Sequence, residues 1–322
     1  MAFIVKYIGN RFADNIDISL LYNADLKRAN KVVLVCGKEQ AYLLNDSQII
    51  SFNNIADVAE CDSPLILLTS ENPSLTAVQA AHSLRAAECQ VFIQYDGIYT
   101  ADPSDEKYAH KLDRIDYDEV IELCNSGYNG VNVEMVEAAK KTGVILRVLS
   151  YNNPADSGTI IKEVMAFGSA TVKGIIKEPD ICIVSLREIP DVPGISYHIF
   201  QAVSDAGINV DMISLPASDY GRQDISFTIH KEDKRTAQRI LKEKQAELGY
   251  SDVVIKDNVA KISVVGSGVK TSKGVAARVF RILYENNISL RLISTSEIKI
   301  NVFVDKSVAD IAVRKIHQDF IG

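Results

Sequence analysis

An internal repeat is the feature that most constrains what this chain can fold into. Residues 190–216 contain a unit that returns 80 positions later in the chain. The constant offset pairs residues of the same type: Gly194 with Gly274, Phe200 with Phe280, Ile208 with Ile288, and Ser214 with Ser294. Because a supersecondary unit that recurs at a fixed interval is the mark of a repeated domain, the chain is expected to carry two copies of one small domain.

Both copies have the same predicted order of elements. An apolar, β-branched run precedes each glycine, at 181–186 and at 262–265, and is typical of a buried strand. Each glycine opens a helix with one apolar face, and two further strands and a second helix follow. Residues 253–255 supply a last strand to the first copy. This order predicts the split ferredoxin-like arrangement βαββαβ, an antiparallel sheet covered by two helices.

The first half of the chain has a different pattern. Continuous apolar runs at 32–35 and 65–68 are typical of parallel strands that are covered on both faces, and a further strand is expected at 89–93. Helical periodicity lies between and after these runs, at 76–85, 117–124 and 133–141, and another strand is expected at 144–148. Strands that alternate with helices predict an α/β domain with a mostly parallel sheet.

Composition narrows the class of protein. The 322 residues suggest two or three domains, and a net charge of −7 without a basic cluster argues against a nucleic-acid partner. No apolar run approaches the ~20 residues that cross a bilayer, and the start lacks the pattern of a signal peptide, so a cytoplasmic protein without membrane contact is expected. Five scattered cysteines without CxxC spacing predict reduced thiols and no metal site.

The repeat resembles a known family of regulatory modules. The paired loops and helices from about residue 172 to the end are similar to tandem ACT domains, which bind amino acids and regulate metabolic enzymes. Residues 265–269, 273–277 and 292–300 resemble the C-terminal ACT domain of aspartate kinases more closely still. The resemblance implies an amino-acid effector, lysine, threonine or a related compound, and a homodimer formed through the ACT domains.

The first half resembles the catalytic domain of aspartate kinases, an amino-acid-kinase fold. Residues 96–103 read Asp-Gly-Ile-Tyr-Thr-Ala-Asp-Pro, similar to the nucleotide-side segment D-G-V-Y-T-A-D-P of the family. Lys6 matches the lysine that meets the ATP phosphates. The resemblance implies nucleotide-binding roles for Gly9, Asp96, Gly97, Tyr99, Asp102 and Pro103. A scaffold role stays open for this segment, since Asp-Gly and Asp-Pro form turns in any case.

Several phosphate-side motifs depart from the family. In place of V-K-F-G-G-T-S the chain has Ile8 for a glycine and Asn10-Arg11 for two hydroxyl residues. A branched side chain at position 8 restricts the backbone and is expected to fill space that a phosphate needs. Glu71 stands in the segment that replaces G-R-G-G-S-D, and Asn132-Val133-Glu134 replaces H-P-R. The region between the second and third strands is also short. We therefore expect an impaired kinase site.

The expected architecture is a shortened amino-acid-kinase-like domain at 1–165, followed by ACT domains at 172–257 and 258–322. Two functions follow from different classes of protein. One is a non-catalytic amino-acid sensor that modulates a partner such as a full-length aspartate kinase. The other is an active aspartate kinase that makes 4-phospho-L-aspartate, and only that reading requires ATP and magnesium. Phosphoryl transfer to another small acid is a third alternative.

The resemblance implies an effector site between the ACT domains, against the loop before the first helix of the first copy and the strand after that helix. The carboxylates of Asp191 and Asp211 suit an ammonium group, and Gly194 lets a helix N-terminus approach a carboxylate. Leu215-Pro216 replaces a Gln-Asn pair of threonine- or lysine-sensitive members, which changes the side-chain pocket. A rigid turn without a ligand is the alternative. The resemblance implies these site residues: Ile189, Pro190, Asp191, Val192, Pro193, Gly194, Ile195, Asn209, Val210, Asp211 and Asp224.

Overall fold

The computed structural model describes residues 2–9, 19–28, 30–44, 50–104, 107–164, 172–216 and 221–322. Asn10, Arg11 and most of the expected linker after residue 165 lie outside the described residues. The chain divides into two compact units. The first comprises Met1–Ile176, Val265–Ser272 and Ile321, and the second comprises Lys177–Val264, Lys273–Phe320 and Gly322. The three domain bounds expected from the sequence stay predictions.

The first unit has a mixed sheet with helices on its faces. Its elements, in chain order, are β1 (Phe3–Ile8), α1 (Ser19–Leu26), β2 (Lys31–Gly37), β3 (Ile50–Phe52), α2 (Ile55–Glu60), β4 (Leu65–Ser70), α3 (Pro73–Ser83), β5 (Cys89–Ile93), β6 (Arg114–Ile115), α4 (Tyr117–Asn125), α5 (Val133–Thr142), β7 (Leu146–Ser150) and β8 (Thr159–Ile161).

The strand order of this sheet is β3-β4-β2-β1-β5-β7-β8-β6. Strand β1 lies in the middle and pairs in parallel with β2 on one side and β5 on the other. Both faces are covered, so alternate residues of β1 enter two cores: Val5 packs with Val33 and Ile66, and Ile8 packs with Leu21. The continuous apolar runs follow from this double burial, and the prediction of a mostly parallel α/β sheet is confirmed.

Local chemistry sets the ends of the helices behind the sheet. Helix α4 begins with a capping box, in which Asp116 accepts from the backbone of the first turn and Glu119 accepts from the Asp116 N–H. Helix α5 begins at the Asn132 cap and ends at Gly143, whose φ is +71°. The sequence-based bounds of both helices agree with these limits to within one residue.

The second unit contains the repeat. The elements of this part of the chain are β9 (Gly174–Pro190, which begins in the first unit), α6 (Ile195–Asp205), β10 (Ile213–Ser214), β11 (Arg222–His230), α7 (Lys234–Leu248), β12 (Asp252–Val265), α8 (Gly268–Thr271), α9 (Val275–Glu285), β13 (Leu292–Thr295), β14 (Lys299–Asp305) and α10 (Ala309–Phe320); of these, α8 belongs to the first unit. The strands form one sheet in the order β10-β11-β9-β12-β14-β13.

The two copies share a strand. The sequence predicts a last strand of copy one at 253–255 and a first strand of copy two at 262–265, whereas β12 runs without interruption through both. The polar residues between the two apolar runs lie within the strand, because sheet pairing satisfies their backbone groups. The alternating apolar residues at 208–212 also predict a strand, but this prediction is wrong, because the paired residues are Ile213 and Ser214, which form β10 against β11.

The repeat is preserved at the start of its helices. Gly194 and Gly274 cap α6 and α9 with φ of +90° and +91°, a conformation that favours glycine over residues with a Cβ. In both cases a Cβ would meet no atom within 4 Å, so backbone conformation rather than crowding favours glycine there. None of the helices in the described part of the chain is long and apolar enough to cross a bilayer.

Candidate functional site

Lys6, the residue expected to meet phosphate, is buried on β1 and is 4% exposed. Its Nζ lies 2.6 Å from Asp25 Oδ2 and also donates a hydrogen bond to the Leu21 carbonyl. Both partners belong to α1, which covers this face of the sheet. The ammonium group is therefore engaged inside the protein by a carboxylate and a backbone carbonyl.

Burial also affects the charge of this lysine. Desolvation lowers the pKa of Lys6 below 10.5, although the hydrogen bond and the charge of Asp25 act in the opposite direction. The Phe92 ring adds a face 5.5 Å from Nζ. Removal from water thus outweighs the stabilisation of the charged form by Asp25 and, more weakly, by Glu88.

Ile8 and Gly9, which follow in the expected phosphate loop, have packing roles. The Ile8 side chain is buried in the core under α1 and does not line the neighbouring cleft. The Gly9 N–H donates to the Phe92 carbonyl at 3.1 Å, and a Cβ at Gly9 would lie 2.9 Å from that oxygen. Glycine is required here because the end of β1 runs so close to β5.

The expected nucleotide-side segment forms a compact polar network. Tyr99 donates to Asp96 Oδ1 at 2.6 Å, and Lys111 Nζ lies 3.1 Å from Asp96 Oδ2 and 2.5 Å from Asp156 Oδ1. The hydrogen bond from Tyr99, followed by Lys111, lowers the pKa of Asp96. Burial, followed by Asp96, raises the pKa of Tyr99 to about 12. Lys111, which sequence reasoning did not select, is the cation of this network.

The remaining residues of the segment make local contacts. Gly97 has φ +155°, and a Cβ there would lie 2.4 Å from Thr159 Oγ1, whose hydroxyl accepts from the Ile98 N–H. Asp102 Oδ1 accepts from the N–H and the hydroxyl of Ser104, which makes the turn that contains Pro103. These contacts would stabilise the segment with or without a nucleotide.

Glu71, whose negative charge is expected to repel a polyphosphate, has a cation beside it. Lys38 Nζ lies 3.0 Å from Glu71 Oε1, at the carboxyl ends of β2 and β4, and both side chains are exposed. Gln40, next to them, donates to the Gly9 carbonyl at 3.2 Å. The charge of Glu71 is thus balanced within this surface by Lys38.

The expected effector loop joins β9 to α6. Ile189 is buried at the end of β9, and Asp191, Val192 and Pro193 are exposed. The Asp191 N–H donates to the Gly221 carbonyl at 2.9 Å, which ties the loop to the start of β11. The arrangement presents this loop and the N-terminus of α6 to solvent.

The acids assigned to the effector are paired inside the unit. Asp211 Oδ2 lies 2.7 Å from Lys261 Nζ, which also lies 2.6 Å from Glu178 Oε2. Asp224 pairs with Arg187 and accepts from the Glu188 N–H at 2.9 Å. That backbone hydrogen bond, followed by Arg187, lowers the pKa of Asp224.

The residues of the expected effector site do not all meet within one copy. Asp224 lies opposite the end of β9, close to Ile189, whereas the Asp211 N–H donates to the Thr228 carbonyl. Gly221, beside the loop, and Thr228 are seven residues apart along this strand, which corresponds to roughly 20 Å. Asn209 and Val210 precede Asp211, at the far end from the loop. The site as a whole stays a prediction.

Comparison with known proteins agrees with both halves of this architecture. A sequence model described as the ACT domain matches residues 181–245 and 262–320, and a model of the amino acid kinase family matches residues 43–150. The aspartate kinase of Pseudomonas fluorescens (strain SBW25) is 36% identical over 246 residues, and the aspartokinase of Helicobacter pylori (strain ATCC 700392 / 26695) is 37% identical over 247 residues. The chain belongs to the aspartokinase family.

This aspartokinase-family chain is shorter than its relatives. The two matches cover 76% of the chain but 60% of each relative, so it spans about 60% of their length. The structure of Clostridium acetobutylicum aspartate kinase aligns with a TM-score of 0.74 at 18% identity, over 84% of this chain and 68% of that one. E. coli aspartokinase III in complex with lysine and aspartate aligns with a TM-score of 0.73 at 15% identity, over 99% of this chain and 100% of that one. These structural matches support the aspartokinase fold.

Three charged residues of this aspartokinase-family fold were missed by sequence reasoning: Asp25, Lys111 and Lys261. Each acts through contacts with residues far along the chain, and none stands in a segment with marked periodicity. A charged residue within an apolar run is a usable signal in one case, because Lys261 interrupts the buried part of β12. Asp25 had no comparable signal, since α1 has a weakly patterned sequence.

Proposed function

We propose that the chain is a regulatory member of the aspartokinase family, a cytoplasmic amino-acid sensor whose kinase site is impaired. In this proposal the ACT pair binds lysine, threonine or a related amino acid and forms a homodimer. The chain then modulates aspartate-family metabolism through a partner, for which a full-length aspartate kinase is the expected candidate.

One observation carries the proposal. The Lys6 ammonium is held by Asp25 and the Leu21 carbonyl under α1, with 4% of the residue exposed. Phosphoryl transfer depends on cations aimed at the transferring group, so a lysine engaged by an internal carboxylate supplies little of that stabilisation. The pairing of Lys38 with Glu71 at the neighbouring strand ends also engages a cation that could otherwise face a phosphate.

Turnover of ATP in the presence of aspartate and magnesium tests the impaired kinase site. A coupled assay on the full chain should show no rate above that of a protein-free blank. Turnover in the range of ordinary kinases, about 1–100 s⁻¹, would overturn the proposal. The same assay with other small carboxylic acids tests the alternative that the chain transfers phosphate to a different small acid.

Isothermal titration with lysine, threonine and methionine tests the sensor role. We expect one of these amino acids to bind, and Asp191→Ala, in the exposed loop, to weaken binding at least tenfold. Asp205→Ala is the matched control, because Asp205 lies on the same copy at the far end of α6 and its Oδ1 accepts only a local bond from Gln201. Asp211→Ala should also lose binding; unchanged affinity there would exclude Asp211 from the site.

The second candidate is an active aspartate kinase that an amino acid regulates. The observation that favours it is the ordered segment around Asp96, where Lys111 adds a cation beside the residues matched to the nucleotide side. Under this reading, Lys111→Met would abolish turnover while Lys38→Met would spare it. The turnover assay decides between the two candidates, because only the second requires ATP and magnesium.

A further inference from the structure

Lys261 of β12 contacts two carboxylates in the second unit, and one of them belongs to the expected effector site. Its Nζ lies 2.7 Å from Asp211 Oδ2 and 2.6 Å from Glu178 Oε2. His230 Nδ1 lies 3.8 Å from Glu178 Oε1, and a neutral imidazole there adds no charge. Two acids around one ammonium group leave this triad with a negative charge in excess, so it can attract a further cation.

The three side chains of the triad differ in their access to solvent. The Lys261 side chain is 3% exposed and that of Glu178 is 17% exposed, whereas that of Asp211 is 42% exposed. Lys261 thus contacts Asp211 from inside the unit, and the outer part of the Asp211 carboxylate faces solvent. Because a carboxylate accepts several hydrogen bonds through its two oxygens, a cation that arrives from solvent meets Asp211 first.

Backbone contacts hold Asp211 in place. The Asp211 N–H donates to the Thr228 carbonyl at 3.2 Å, and the Met212 N–H donates to Thr228 Oγ1 at 3.1 Å. The Thr228 N–H in turn donates to the Met212 carbonyl at 3.0 Å. Since these bonds anchor the segment to β11, a cation that binds Asp211 is accommodated by movement of the long Lys261 side chain rather than of the backbone.

The surroundings of Lys261 limit where its ammonium group can go. Val259, two residues before it on the same face of β12, belongs to a buried apolar cluster with residues of β9 and β14. An ammonium group that left both carboxylates in such surroundings would lose its charge partners at a large cost in free energy. Glu178 is therefore the group that retains the ammonium when Asp211 binds another cation.

We propose that Lys261 is an internal competitor for the ammonium group of the amino-acid effector. The effector ammonium reaches Asp211 from solvent, and Lys261 withdraws from Asp211 toward Glu178. Because like charges a few ångströms apart repel, Lys261 lowers the affinity of Asp211 for the effector. This inference rests on the sensor function proposed above, and it adds the device that sets the effector concentration to which the chain responds.

Isothermal titration of the full chain with lysine, threonine and methionine tests the competition in two charge variants. Lys261→Met combined with Glu178→Gln removes the competitor without leaving an unpaired buried acid, and it should tighten binding about tenfold. Glu178→Gln alone leaves Asp211 as the described carboxylate within ion-pair distance of Lys261, so binding should weaken. A purely structural triad predicts weaker binding in both variants, so the direction of change in the double variant separates the two roles.

Lys234→Met is the matched control, because it removes a cation of the same unit whose partner, Asp257 at 2.7 Å, lies outside the expected effector site. The affinity of this variant should stay within about twofold of that of the unsubstituted chain. If the folded double variant binds its amino acid no more tightly than the unsubstituted chain, Lys261 is not a competitor.

The single variant decides the matter where the double variant does not fold, since unchanged or tighter binding by Glu178→Gln would overturn the inference. Failure of the sensor proposal gives a different result. In that case none of the three amino acids binds either the unsubstituted chain or the double variant, and the competitor is excluded with it. Binding that appears only in the double variant would support the competitor.

Discussion

Within the part of the chain that the structure describes, each unit buries one lysine on a central strand, and the two lysines are in different electrostatic environments. Lys6 on β1 is 4% exposed and has one carboxylate, Asp25, within ion-pair distance. Lys261 on β12 is 3% exposed and has two, Glu178 and Asp211. The two lysines have similar burial, so they differ mainly in how many carboxylates lie within ion-pair distance; Glu88 acts on Lys6 only through its more distant charge.

This difference decides the direction of each pKa. Burial lowers the pKa of Lys6, and Asp25 does not compensate for it. Burial acts in the same direction on Lys261, but the hydrogen bonds with Asp211 and Glu178 outweigh it and raise the pKa. Lys261 therefore belongs to a structural triad with two carboxylates, whereas the charge of Lys6 is only partly compensated and the side chain is held in place by α1.

Removal of the Lys261 charge should give the largest effect. Lys261→Met leaves Glu178 and Asp211 facing each other without a cation, and loss of one partner of a buried ion pair costs about 3–5 kcal/mol. Urea unfolding followed by far-UV circular dichroism measures this loss. The matched control is Lys234→Met, because Lys234 pairs with Asp257 at 2.7 Å on the surface. Loss of this pair should lower the free energy of unfolding by under ~1 kcal/mol. Similar losses for the two variants would contradict a structural role for the triad.

The Lys6 pair should give an intermediate effect. Lys6→Met is expected to cost about 2–3 kcal/mol in the free energy of unfolding, less than Lys261→Met, because desolvation already offsets part of the pairing. Asp25→Asn and the double variant complete a thermodynamic cycle. The double variant should cost less than the sum of the single variants by about 1 kcal/mol or more, which is the sign of direct coupling. Strict additivity would show that the two residues do not stabilise each other.

The smallest effect is expected in the alkaline pH dependence, where the two lysines act with opposite sign. The folded state holds the Lys261 proton more tightly than the unfolded state, so the contribution of Lys261 is full below 10.5 and is lost as pH rises through its raised pKa. Lys6 has a lowered pKa, so its burial penalty is relieved as pH rises from that value toward 10.5.

Unfolding free energies measured on both sides of 10.5 check these signs. The difference in unfolding free energy between the unsubstituted chain and Lys261→Met should shrink as the solution becomes alkaline. The corresponding difference for Lys6→Met should grow. If the unfolding free energies of both variants had the same slope against pH, the two lysines would titrate alike in the folded protein, and the difference between their environments would be refuted.

The repeated units and the parallel sheet could be predicted because they depend on periodicity. Gly194 and Gly274 mark the start of equivalent helices, and their positive φ values are what their shared place in the repeat implies. The apolar runs of β2, β4 and β5 follow from burial on both faces. Weakly patterned elements such as α1, α2 and β3 were not predicted, because tertiary packing rather than local periodicity stabilises them.

The candidate site was predictable only in outline. A motif match selected Lys6 and Asp96, but it did not indicate that Ile8 packs into the core or that Gly9 approaches β5. The packing of Ile8 and the position of Gly9 depend on where β1 ends relative to the motif. A cleft beside Tyr7, Tyr95 and Tyr151 brings together the ends of β1, β5 and β7, and a single sequence has no signal for that meeting.

By itself, the sequence determined the internal repeat, the fold class and the family, since these follow from patterns that recur within short windows of the chain. Only the tertiary structure decided which charges meet. Asp25 reaches Lys6 from a helix, and Asp211 and Glu178 reach Lys261 from two other segments, because the sheets bring distant residues within 3 Å. The energy of a buried charge depends on such neighbours, and no local pattern of residues records them.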